Sequence, residues 1–269
     1  MKKRNLAGLA CLGGLAFVLP GLPGDKIDVT HYTLQSARIK TPVRMLVLSD
    51  LHNEYFGLNM EKLALLVLKE KPDLIVMPGD MVQEDDGKRN TFTLLKQLQG
   101  IPMFYCTGNH EEKHRDVELV LKELREFGVQ TLQNQSVLFQ KGDTVLELAG
   151  IPCRKHEADY HAKDINALFT TDRYRILLSH RPHWVELYRK LDCQMVVSGH
   201  AHGGQWRMPG FKIPAAAPQQ GVLPKYTQGM HVLDRTVLVI SRGLVKQYHG
   251  IPRLYNNPEI VLVHLEPVV

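Results

Sequence analysis

Residues 43–52 read VRMLVLSDLH, a largely aliphatic run that closes at Ser49 and at once presents Asp50 and His52. A short apolar run bounded by polar residues predicts a buried strand, here Val43 to Ser49, with its polar groups in the loop past the strand's carboxyl end. The arrangement recurs. Leu74 to Pro78 is followed by Gly79-Asp80, Met103 to Thr107 by Gly108-Asn109-His110-Glu111, Ile176 to Ser179 by His180, and Met195 to Ser198 by Gly199-His200-Ala201-His202. One more strand is expected at Val145 to Ala149. Between strands lie segments of helical period: Asn59 to Lys69, with Leu63, Leu66 and Val67 on one face, and Asp116 to Phe127 before Gly128 at a C-cap position. Alternation of this kind is the signature of βαβ units and predicts an α/β fold.

Late in the chain Met230 to Leu233, Thr236 to Ser241 and Ile260 to Leu265 read as strands without intervening helices. They predict a sheet completed by antiparallel strands, and so a mixed two-sheet core. The stretch from Gly203 to Gly229 is rich in Pro, Gly and Gln with little periodicity, which predicts an ordered functional loop.

Loops beyond the carboxyl ends of strands share one edge of an α/β sheet, so five segments distant in sequence can converge in one crevice. Asp50, His52, Asp80, Asn109, His180, His200 and His202 supply carboxylate, amide oxygen and imidazole, a mixed set suited to Mn, Fe or Zn. Thiolates are absent from it, and seven groups are too many for one closed structural zinc site. Singly, each motif has a plainer reading: Asp50-Leu51-His52 as a turn and surface pair, Gly79-Asp80 as a turn, His180 as a satisfied core histidine. The two histidines of Gly199-His200-Ala201-His202 are more telling, since alternate residues of an extended segment face the same side. Their joint occurrence at successive strand ends predicts two divalent cations, with Asp80 as the central carboxylate and both the attacking and the leaving oxygen of a phosphoryl displacement stabilised.

In order, Asp50-x-His52, Gly79-Asp80, Gly108-Asn109-His110-Glu111, Ser179-His180 and Gly199-His200-x-His202 resemble the motif set of the calcineurin-like metallophosphoesterases, over roughly residues 41–266. Gly199 to Gln205, Ala217-Pro218-Gln219-Gln220-Gly221 and Ser241-Arg242-Gly243-Leu244 resemble the bacterial, membrane-associated branch of that superfamily. The resemblance implies a four-layer α-β-β-α sandwich with two mixed sheets. It implies that Asp50, His52 and His202 hold one metal, that Asn109, His180 and His200 hold the other, and that Asp80 bridges them. It implies that His110 faces the substrate, stabilising the transition state or protonating the leaving oxygen, while Glu111, where many relatives carry aspartate, orients His110 from behind. The implied reaction is hydrolysis of a phosphate mono- or diester by a metal-bound hydroxide. Arg181, Arg242, Arg253, His183 and His249 lie near the motifs or in late loops and are candidates for contact with phosphate oxygens, against the plainer reading of solvated or salt-bridged groups.

The chain has 269 residues, 44% of them hydrophobic, enough for one sizeable core. Its net charge of +5 is spread along the chain, which suits anionic phosphates and gives no separate reason to expect nucleic acid as a partner. Cysteines 11, 106, 153 and 193 form neither a CxxC pair nor a disulfide framework and read as free thiols, with Cys106 a small buried hydrophobe. Lys2, Lys3 and Arg4 precede an apolar stretch from Leu6 to Leu19, closed by Pro20 and Pro23. Residues 1–24 are therefore expected to be a signal or anchor segment and 41–269 the catalytic domain. The alternative for the segment is a hydrophobic helix docked on the domain. An anchor would associate the chain with a membrane, set the catalytic domain on its outer face by the positive-inside rule, and hint at an amphiphilic substrate such as a phospholipid or nucleotide-linked lipid. A scaffold of the same fold that has lost catalysis and recruits a protein partner is the second functional reading; the intact ligand set and His110 argue against it. An amidohydrolase or lactamase would want an H-x-H-x-D-H cluster, which the sequence lacks.

Overall fold

Strands that are apolar on both faces must be covered on both faces, and the chain achieves this by stacking two sheets between layers of helices. The computed structural model describes residues 26–85, 87–208, 213–248 and 250–268; the apolar N-terminal stretch with its expected signal or anchor, and Cys11, lie outside them. In chain order the main elements are β1 (Asp28–Gln35), β2 (Val43–Val47), α1 (Glu61–Lys69), β3 (Leu74–Pro78), α2 (Arg89–Gln97), β4 (Met103–Cys106), α3 (Asn109–Lys113), α4 (Val117–Glu126), β5 (Val129–Thr131), β6 (Gln135–Lys141) and β7 (Thr144–Gly150). They continue with α5 (Ala162–Asn166), β8 (Tyr174–Leu178), α6 (Val185–Tyr188), β9 (Met195–Ser198), β10 (Ala216–Ala217), β11 (Gly221–Val222), β12 (Gly229–Leu233), β13 (Thr236–Ile240), β14 (Gln247–Tyr248), β15 (Ile251–Pro252) and β16 (Glu259–Glu266).

One six-stranded sheet runs β1-β16-β2-β3-β4-β5 and the other β12-β13-β9-β8-β7-β6. Alternate side chains of each strand serve different layers. Met45, Val47, Leu74 and Val76 of the first sheet pack between the sheets against Leu146, Leu148, Ile176, Leu178 and Val197 of the second. Their neighbours Leu46, Ile75 and Met77 face outward onto Leu63 and Val67 of α1, Leu94 and Leu95 of α2, and Val120 and Leu124 of α4. On the far side Leu177, Val196, Leu238 and Ile240 pack on Ile165, Phe169, Trp184 and Tyr188. The four-layer sandwich with two mixed sheets is thus the observed fold.

Three expectations need correction. The first sheet begins ahead of residue 41: β1 pairs in parallel with β16 from Asp28↔Glu259 to Gln35↔Glu266. An edge strand reading Asp-Val-Thr-His-Tyr-Thr-Leu-Gln carries too little apolar character to announce itself. Only part of the late chain is antiparallel. β12 pairs antiparallel with β13 and β16 antiparallel with β2, but β13 runs parallel to β9. The first helix starts at Glu61, because Asn59 and Met60 adopt left-handed backbone angles, φ 50° and 64°, that interrupt a helix. Cys106, Cys153 and Cys193 are buried free thiols.

Past β13 the chain crosses from the second sheet to the first, where Leu244 N–H and Val245 N–H donate to the Asp50 carbonyl at 3.1 and 2.7 Å. Gly199, at the end of β9, lies against the end of β2 so closely that a Cβ there would collide with Ser49 Oγ and Asp50 Oδ2. Substituting Gly199→Ala is expected to wedge the two sheet ends apart, lowering unfolding free energy in urea titration by about 1–3 kcal/mol, the usual penalty for overpacking.

Candidate metal centre

Asp80 stands at the middle of the crevice. It is fully buried just past β3, its Oδ1 accepts the His110 backbone N–H at 2.8 Å, and its Oδ2 lies 3.6 Å from His52 Nε2 and 3.1 Å from His180 Nε2. Asp50, also fully buried, faces His202 Nε2 at 3.2 Å through Oδ1 and receives the His200 backbone N–H at 2.9 Å. Three groups of donor atoms result, each drawn together within 4.8 Å: Asp50, His52 and His202; His52, Asp80 and His110; Asp80, His180 and His200. The structure therefore gathers Asp50, His52, Asp80, His180, His200 and His202 in one place, and His110 shares that place with them.

Backbone geometry explains how side chains from separate strand ends meet. Asp50, His52, Asp80, His200 and His202 all sit in the left-handed region, with φ of 51°, 48°, 54°, 68° and 47°. Such a conformation costs a non-glycine residue on the order of 1 kcal/mol, and it recurs where surrounding structure holds a functional group in place. Gly108 provides the close approach that admits Asp80, since a Cβ at Gly108 would collide with the Asp80 carboxyl and backbone.

Electrostatics follow from the burial. Burial alone would raise both carboxyls, yet His202 at Asp50 and His180 at Asp80 outweigh it and hold both below the ordinary carboxylate range. Burial would likewise lower His180, but the adjacent Asp80 charge pushes it up to about 9. His52 is brought down to about 3 by burial, and burial keeps His200 well below its ordinary value. Among the described residues, His52 Nε2 and Asn109 Oδ1 are buried without a hydrogen-bond partner. Buried polar atoms are rarely left so. Two orphaned donors-to-metal beside two buried carboxylates fit a bound cation.

Hydrogen bonds also decide which ring nitrogens face inward. His180 Nδ1 donates to the Pro78 carbonyl at 2.7 Å, which turns Nε2 toward Asp80. Arg181 can only donate, so the Gln219 atom 3.0 Å from its Nη1 is the carboxamide oxygen. The same oxygen meets His200 Nε2, which must then carry the proton and leave Nδ1 facing His180 Nε2 at 3.1 Å. Gln219 belongs to a motif noted in the sequence, but no local pattern there assigns it to His200.

Other predicted residues take varied positions. Glu111 does not orient the His110 ring. Its carboxylate accepts backbone N–H groups from Asp80, Met81, Val82 and Gly108 at 2.7–3.0 Å, tying the loop after β3 to the loop after β4. Burial, then the Asp80 charge, raises it to about 7. His110 has its Nδ1 buried without a partner among the described residues, stands edge-on to His52 at 4.4 Å between ring centroids, and lines a cavity of about 380 Å³ with His52, Gln83, Val245 and Gln247. Arg181 lies beside His200, and the His183 ring is tilted 39° to that of His200 with 6.0 Å between centroids. Arg242 turns away to pair with Glu259 and Asp28 at 3.0 and 3.1 Å. Arg253 is fully buried and donates to the carbonyls of Val245, Arg242, Gly243 and His202, so it holds loops together and does not reach for phosphate. His249 lies outside the described residues.

Calcineurin-like phosphoesterases, as a family, match residues 43–204, more than half of the chain. The chain belongs to this family and is a metal-dependent phosphoric ester hydrolase. It is 28% identical over 241 residues to phosphodiesterase YaeI of Escherichia coli, covering 83% of this chain and 82% of that protein. It is also 28% identical to the uncharacterized metallophosphoesterase YkuE of Bacillus subtilis, covering 97% and 93%. A transmembrane protein with a metallophosphoesterase domain from Danio rerio is 26% identical, covering 96% of this chain and 61% of that one. Among the described residues no helix is long and apolar enough to cross a membrane.

Replacing Glu111 by alanine would strand four buried amide N–H groups. Glu111→Ala is expected to cost about 3 kcal/mol or more in chemical denaturation, whereas loss of a carboxylate that merely backs His110 would change stability little.

Proposed function

We propose that this protein hydrolyses a phosphate ester, a phosphodiester or a monoester, with two divalent cations (Mn, Fe or Zn) held side by side. Asp50, His52 and His202 hold one, Asn109, His180 and His200 the other, and Asp80 lies between them. The observation that carries this reading is the position of Asp80 Oδ2 between His52 Nε2 and His180 Nε2, at 3.6 and 3.1 Å, with a carboxylate-imidazole set on either flank. Bound there, the cations would supply Lewis-acid activation of the phosphoryl group and of water.

The remaining work falls to the chain's own side chains. Burial keeps the His110 imidazole below its ordinary pKa, so near neutral pH it is uncharged and offers its one N–H to an oxygen of the reacting phosphate. Its backbone N–H, bonded to Asp80, fixes it to the loop that carries the central carboxylate. Arg181 brings a permanent positive charge beside His200, held by Gln219 and by the Arg154 carbonyl at 3.0 Å, where it can offset charge on the phosphoryl oxygens. The displacement would be in line, with inversion at phosphorus. The name of the Escherichia coli relative supports a diesterase; the name of the Danio rerio relative, with the apolar stretch from Leu6 to Leu19, supports attachment to a membrane, and Lys2, Lys3 and Arg4 ahead of that stretch favour a catalytic domain on its outer face.

Purified protein supplied with Mn is expected to release p-nitrophenol from bis-p-nitrophenyl phosphate or p-nitrophenyl phosphate, to lose this turnover on chelation, and to regain it on adding Mn. His110→Ala is expected to lower kcat by about 10²–10⁴-fold, and Asp80→Ala to abolish turnover. Activity surviving both substitutions would overturn these roles. Gln219→Leu, which removes the acceptor for His200 Nε2–H, is expected to weaken metal binding about 10–100-fold by competitive chelator titration, with Gln219→Glu restoring it.

A further inference from the structure

Six of the fifteen large apolar side chains exposed among the described residues belong to three linked segments. Trp206, Met208, Ile213, Val222, Leu223 and Ile251 are exposed by 40% (Ile213) to 79% (Val222). They are not scattered. Met208 N–H donates to Ile213 O, Ala215 N–H to Trp206 O and Leu223 N–H to Ala215 O, while Gln205 Nε2 donates to Ile251 O. A web of backbone and side-chain hydrogen bonds therefore joins three segments into one unit. The Trp206 indole N–H is already satisfied by Pro252 O at 2.9 Å, so the ring turns outward as an apolar surface.

This unit stands at the metal edge of the sandwich. It follows directly on His202, and Gln219 within it bonds His200 and Arg181. The start of the described chain lies on the same edge. β1 is parallel to β16, which is antiparallel to β2, so Asp28 lies at the end of the sheet from which Asp50 projects; Arg242, next to Gly243 and its contact with Asp50, reaches Asp28 at 3.1 Å. Lys26 and Arg207 line one cavity of about 510 Å³ there. The described chain thus begins, at Lys26, on the side that bears the metal centre and the exposed apolar unit.

We propose that this unit is a docking surface for a lipid bilayer, which holds the metal centre against the membrane so that the phosphate ester it hydrolyses is one carried by a lipid. This rests on the phosphoesterase reading for what is cleaved, though not for the docking itself. Two features favour a bilayer over a protein segment. Val222 and Leu223, beside the open end of the β10–β11 hairpin, are 79% and 66% exposed, so most of each side chain is left uncovered, whereas a docked helix needs a groove. Residues 203–228 also contain Lys212 and the exposed Lys225 with no Asp or Glu, and their one arginine, Arg207, is buried against Gln228; an interface of acyl chains and anionic headgroups accepts that composition.

The test uses the full-length chain with vesicles of phosphatidylglycerol and brominated phosphatidylcholine. Of the two tryptophans, Trp184 is buried, so lipid bromine is expected to quench Trp206 alone and the Trp206→Phe chain to show no quenching. Val222→Asp with Leu223→Asp is expected to abolish the quenching while leaving turnover of bis-p-nitrophenyl phosphate within twofold of the parent, which shows the variant folded. Val222→Ser with Leu223→Ser should reduce quenching without adding charge. Trp206 emission open to iodide and indifferent to brominated lipid would overturn the docking, as would emission shielded from both, which would mean that protein covers the patch. Absence of any turnover in the parent chain would instead strike the phosphoesterase reading and leave the quenching result to stand alone.

Discussion

Two carboxylates buried within one shell of imidazoles set the terms for the rest of the structure. Asp50 and Asp80 lie where water cannot solvate them, and each keeps its charge only because a histidine, His202 or His180, stands against it. Like charges this close in a dry site are tolerable when something positive lies between or beside them. The imidazoles meet that need in part, but His52 is too deeply buried to hold a proton, and its Nε2 is left without a partner among the described residues. A bound metal ion would complete the compensation that the protein's own groups leave unfinished.

The loops bearing these groups would not adopt their shapes unaided. Five of the seven candidate ligands occupy left-handed backbone conformations, and a stability cost at each must be offset elsewhere. The offset is visible in the surrounding hydrogen bonds. Glu111 gathers four backbone amides from two loops, Arg253 gathers four carbonyls from the loops on the other side, and Asn256 Nδ2 adds a bond to the His202 carbonyl at 2.7 Å. These are rigid supports drawn from different strands, which is what a centre requiring sub-ångström placement of its donors demands.

Placing the centre at one end of the sandwich also determines what else can share that end. The segment from Gly203 to Gly229, the crossing from β13 to β2, and the first residues of β1 all converge there. Gln219 ties the first of these to His200, so motion of that loop and the orientation of an imidazole are coupled through one hydrogen bond.

Much of this was legible in the residues alone. Aliphatic runs such as Val43 to Leu48 are recognisable because strands buried on both faces must be apolar throughout, and polar groups placed just past them can only fall at a sheet edge. The candidate ligand residues and the sandwich follow from that rule together with the family resemblance. What the residues could not disclose depended on partners far away in the chain. β1 is an edge strand whose polar alternation has no local signature, and its place comes from pairing with β16 more than 200 positions later, Asp28 with Glu259. Glu111 appeared to serve the adjacent His110, but its backbone partners at 80–82 are reached only when β3 and β4 lie side by side. Arg242 and Arg253 looked available to phosphate, and only the folded chain shows their guanidinium groups committed to Glu259, Asp28 and main-chain carbonyls. Side-chain type sets what chemistry a residue can perform, whereas the groups that compete for it are chosen by packing between distant segments, and that competition exists only in three dimensions.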